Sequence, residues 1–127
     1  MSVSSTVTFS ATGGATTLSG ISSSATGNLG IDVSVAVPAT TTNQLYTLAV
    51  DVSQIQSLFL YSDGVLTLKT NSTGSPDQTL VFAANMPLVW VTGMPSANPL
   101  TTDVTKFYIT NATAGTLNLY GFINQSL

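Results

Sequence analysis

The sequence predicts an all-β fold, a two-sheet antiparallel β-sandwich that is jelly-roll-like, with roughly eight to nine short strands. Three observations carry this. Apolar residues alternate with polar or small ones over short runs, and no segment of a dozen residues shows the helical period. β-Branched residues dominate those runs. Clusters of Gly, Pro, Asn, Asp and Ser separate them at the spacing of sandwiches and barrels. A small β-barrel with an N-terminal arm satisfies the same pattern and stays open as the alternative. The 127 residues fit one domain. Residues 29–127 read as the sandwich, and 1–28 as an extended N-terminal arm or edge strand.

Taken in order, Val3, Val7 and Phe9 share one parity, as in a half-buried strand. Gly13-Gly14 breaks it, a short edge strand follows over 15–18, and 21–27 reads as loop. The clearest strand is 29–37: Leu29, Ile31, Val33, Val35 and Val37 alternate with small or polar residues, so all five are candidate core. Pro38 ends it by removing a ladder donor. A strand over 44–50 puts Tyr46, Leu48 and Val50 on one side.

Residues 51–70 read as a hairpin. Asp51 and Ser53 suit a helical-turn cap or an Asx-turn. A strand over 57–61 supplies Leu58 and Leu60 to the core, and Asp63-Gly64 turns the chain because Gly accepts a positive φ. A second strand covers 65–70. The pattern recurs: Asp103-Val104-Thr105 leads into Phe107-Tyr108-Ile109, a small-residue turn reaches Gly115, and Leu117 and Leu119 follow. Two related hairpins, one at each edge of the sandwich, are therefore expected, with Asp51, Asp63, Gly64, Asp103 and Gly115 as their turn determinants. Between the copies lie a loop over 71–78, strands over 79–83 and 86–91, and an irregular stretch over 92–102. Trp90 is a further core candidate.

Charge is the anomaly. Only 6% of residues are charged, against about 25% in an ordinary soluble domain. With two lysines and a net charge of −3, the chain cannot build a phosphate-neutralising surface, so no nucleic-acid partner is expected. The absence of Cys and His excludes thiolate catalysis, the usual zinc sites and a Ser-His-Asp triad. Four of the five aspartates, Asp51, Asp63, Asp77 and Asp103, suit turn or cap positions, and no Asp-x-Asp spacing occurs, so neither an acid/base pair nor a calcium loop is predicted. No catalytic residue, cofactor or metal is expected. No apolar run reaches the length of a membrane span, and the N-terminal Ser/Thr run lacks the form of a signal peptide. A surface this neutral suits a protein whose faces are covered in an assembly. Tyr46, Tyr61, Tyr108, Tyr120 and Trp90 would serve carbohydrate binding only if several lined up on one sheet face. Burial with wet hydroxyls is the plainer expectation. Three Asn-x-Ser/Thr sequons, at Asn71, Asn111 and Asn124, read as surface loops.

Taken together, Asp51-Val52-Ser53, Thr70-Asn71-Ser72, Pro76-Asp77-Gln78-Thr79-Leu80, Met86-Pro87-Leu88-Val89-Trp90, Asn98-Pro99-Leu100, Asp103-Val104-Thr105 and Thr110-Asn111-Ala112 resemble the small all-β virion structural proteins of tailed bacteriophages. The resemblance covers residues 51–127. It implies a non-enzymatic capsid decoration (cement) protein at the virion surface. It also implies a homo-oligomer, favouring a trimer, whose partners are the major capsid protein or other virion subunits. The N-terminal arm and the 92–102 loop are the expected contact segments. A carbohydrate-binding or host-recognition module of a fibre, tail or spike is the alternative.

Overall fold

The computed structural model describes residues 2–11 and 18–127. The strands are β1 Val3–Ala11, β2 Leu18–Gly27, β3 Leu29–Val37, β4 Thr41–Val50, β5 Ile55–Ser62, β6 Leu66–Thr70, β7 Thr79–Phe82, β8 Leu88–Val91, β9 Val104–Asn111 and β10 Leu117–Gln125. A single 3-10 turn, Val52–Gln54, precedes β5. β3, β10, β5 and β8 form one four-stranded sheet, and β4, β9, β6 and β7 form the other. The pairings are antiparallel. From β3 onward each connection except β6 to β7 crosses between the sheets. That is the double Greek key of a jelly roll.

Period-2 alternation sorts side chains between core and surface. Leu58, Leu60, Leu66, Leu68, Phe107, Ile109, Leu119 and Ile123 are fully buried between the sheets. Each such burial contributes about 1.5–3 kcal/mol. In β3, Val33 and Val37 are buried while Ile31 and Val35 pack against the core. Leu29 departs from expectation. It lies at the strand's first position, opposite Gln125, and is 38% exposed.

Both expected hairpins are something else. β5 and β6 lie in different sheets, as do β9 and β10, so each reversal is an arch over the core. Gly64 is needed for space, not for backbone conformation. A Cβ there would come within 2.5 Å of Leu117 Cδ2, whereas Gly93 is the glycine with positive φ among the described residues. Ser62, fully buried, shapes the arch by donating to the Gly64 carbonyl at 2.7 Å. Gly115 has neither positive φ nor an atom within 4 Å of a Cβ. The hairpin of the sandwich is β6–β7, across residues 71–78. There Asn71, at φ 66°, accepts from the Thr105 N–H and donates to Asp77 Oδ2 and the Asp103 carbonyl.

The N-terminal stretch is an antiparallel hairpin of β1 and β2, with Ser5 opposite Ala25. The expected loop over 21–27 is therefore strand. The Gly13-Gly14 break and residues 15–17 of the expected edge strand lie outside the described residues. The hairpin base rests on the outer face of the β3-β10-β5-β8 sheet. Ser5, Ala25 and Gly27 are buried, and Asn124 Nδ2 donates to the Val3 carbonyl at 3.1 Å.

Candidate functional site

Four of the five aspartates hold the framework. Asp51 caps the 3-10 turn, accepting from Ser53 N at 3.1 Å and from its hydroxyl at 2.7 Å. Asp103 Oδ1 accepts from Val52 N at 2.8 Å. The two copies of the Asp-Val-Ser/Thr motif thus meet at one turn, with Val50 paired to Val104. Asp63 Oδ1 accepts from Asn118 N at 2.8 Å, and Oδ2 from the Asn118 amide at 3.0 Å. The Asn118 backbone N–H, then its side-chain amide, hold the Asp63 carboxyl below its ordinary range. Asp77 accepts from Asn71, and Asp32 stands exposed on the outer face of β3. Lys69 donates to the Thr73 carbonyl at 3.1 Å. Among the described residues no group of three or more His, Cys, Asp or Glu comes together.

Two sequon asparagines are structural. Asn111 and Asn124 are fully buried, contrary to a surface-loop reading. The Asn111 amide donates to the carbonyls of Val37, Pro38 and Gly115 at 3.0, 3.2 and 2.8 Å. Its Oδ1 accepts from Thr113 N at 2.9 Å. This one side chain ties the β3–β4 arch to the β9–β10 arch. In the sequence it is marked only by Asn111-Ala112-Thr113 standing just ahead of the turn that reaches Gly115.

The flanks of the sandwich differ. Between β3 and β4, side chains of one sheet satisfy carbonyls of the other. Gln44 Nε2 donates to Ala36 O at 3.2 Å, and Tyr46 OH donates to Asp32 O at 3.3 Å. Between β7 and β8 the sheets part around an apolar cleft of about 300 Å³, lined by Leu80, Phe82, Met86, Pro87 and Leu88 among others. Val81 is 70% exposed and Met86 64%. Residues 78–102, which form this flank, contain no charged residue. The 92–102 loop folds back on its own subunit. Leu100 is buried in the core, Trp90 Nε1 donates to Ser96 O at 2.9 Å, and Gln78 Nε2 donates to Pro99 O.

The aromatics divide. Trp90 and Tyr46 are half-buried against the core, and Tyr46 stacks on Phe107 with centroids 6.4 Å apart. Tyr108 is half-buried on the outer face of its sheet. On the outer face of the other sheet, Tyr61 pairs with Tyr120 and Phe59 with Phe122 across β5 and β10. Of Tyr46, Tyr61, Trp90, Tyr108 and Tyr120, only Tyr61 and Tyr120 therefore share an outer face.

No family model matches this chain, and no curated protein does. Among solved structures it is similar to a chain described under "Bacillus endospore appendages form a novel family of disulfide-linked pili". Identity is 14% over 77% of this chain and 88% of that one, with a TM-score of 0.36. Likeness at that level defines no role here.

Proposed function

We propose that this protein acts by assembly, without catalysis, and that its particular role is that of a decoration protein on the capsid of a tailed bacteriophage. The observation that carries this reading is the open β7–β8 flank. An exposed apolar cleft between two short edge strands, free of charge over residues 78–102, can be covered by a neighbouring subunit without desolvating an ion. The closed β3–β4 flank gives the molecule one adhesive side. The jelly roll and the aspartates committed to turns agree with a scaffold whose work is contact. In this reading the protein sits on the virion surface as a homo-oligomer, favouring a trimer, and bridges major capsid protein subunits. A junction of this kind buries upwards of about 1,000 Å².

The test is addition of the purified chain to decoration-free capsids of the phage that encodes it. Saturable co-sedimentation with a raised temperature of shell rupture supports the role. Failure to bind such shells overturns it.

A further inference from the structure

We propose that the outer face of the β3-β10-β5-β8 sheet is a binding surface for a neutral glycan, with Tyr61 and Tyr120 as its stacking pair. The two tyrosines are cross-strand partners on β5 and β10, with ring centroids 6.5 Å apart and planes inclined by 28°. Tyr120 is 45% exposed. Tyr61 is fixed in place, because its hydroxyl donates to Asn85 Oδ1 and Asn85 N donates to Ser62 O. A ring ordered before the ligand arrives spares the complex part of its entropy loss. Phe59 and Phe122 continue the apolar strip by one register step.

The rim is polar on the β3 side. Ser34 lies opposite Tyr120 and Asp32 opposite Phe122, both exposed. An apolar aromatic floor beside hydroxyl and carboxylate groups matches a sugar, which offers C–H groups on one ring face and hydroxyls at its edge. The partial positive charge of those C–H groups meets the negative ring face. Charge chooses the class. Lys69 and Lys106 both belong to strands of the opposite sheet, so among the described residues this face offers the Asp32 carboxylate and no lysine. Sialylated, sulfated or phosphorylated ligands would meet Asp32 unpaired. Among the described residues, the N-terminal hairpin covers the Ser57 and Asn124 end of the face, and Tyr120 stands exposed at the other end. The tyrosine pair lies on the outer face of its sheet while the β7–β8 cleft opens between the sheets, so sugar binding is measured without reference to assembly.

The experiment is saturation-transfer NMR of the full chain with neutral cello-, chito- and galacto-oligosaccharides, and with a sialylated galactoside for comparison. A neutral sugar should show transfer from tyrosine protons. Tyr120→Ala, an exposed site on a folded sheet, should weaken it by about five- to tenfold, and Tyr120→Phe should keep it. Absence of transfer from all neutral sugars, equal binding by Tyr120→Ala, or preference for the sialylated ligand would each overturn the proposal.

Discussion

The carboxylate of Asp63 grips Asn118 at two points, its backbone N–H at 2.8 Å and its side-chain amide at 3.0 Å, and so ties the β5–β6 arch to the start of β10. These donors favour the ionised form and lower the carboxyl below its ordinary value of 3.8. A lowered folded-state value stabilises the protein at pH values above the unfolded one. That contribution is lost as pH falls through the folded value. Asp63→Ala should therefore melt below wild type by a constant margin from neutral pH down to about pH 5, and by a shrinking margin below that. Thermal melts of both proteins across this range check it.

Three glycines should respond in a fixed order. Gly121→Ala places a Cβ 2.6 Å from the Phe59 carbonyl, a backbone atom that cannot yield. Gly64→Ala meets the methyls of Leu117, which can rotate away. Gly115→Ala meets nothing. Urea unfolding should give a loss of about 3 kcal/mol or more for the first, about 1–2 for the second, and within about 0.5 for the third.

Asn111 is the arch staple. Asn111→Ala leaves three carbonyls without their shared donor in a buried site, and should cost about 2–4 kcal/mol. Equilibrium unfolding at one pH measures it.

Leu58→Ala should cost about 2–5 kcal/mol, because the side chain is fully buried. Leu29→Ala should cost under about 1 kcal/mol. The same alternating pattern placed both in the core. Only chain position separates them, Leu29 being the end residue where the facing sheet no longer covers it.

That contrast shows what is legible in the sequence. Alternation located β3 at Leu29–Val37, and the Asp51 cap foretold the turn at Val52–Gln54. Asp63-Gly64 correctly marked a reversal but not its kind. A hairpin and an arch share the same turn residues and the same period of 2. They differ in whether the next strand meets its predecessor by backbone edge or by side-chain face, which the whole sheet order decides. β2 was hidden because its Ser, Ala and Gly residues carry no apolar alternation, and its strand form comes from pairing with β1. The open flank was half visible. The charge-free run could be read, but that it borders a cleft depends on β7 and β8 being edge strands of opposite sheets.

In the assembly proposed for this protein, another subunit covers the β7–β8 flank. The most direct measurement is native mass against concentration for wild type and for the Val81→Lys/Met86→Lys double variant, both sites exposed and outside the core. Wild type should form an oligomer, a trimer in its favoured form, and the variant should be a folded monomer. A wild-type protein that stays monomeric at all concentrations, or a variant that assembles as well as wild type, would contradict it.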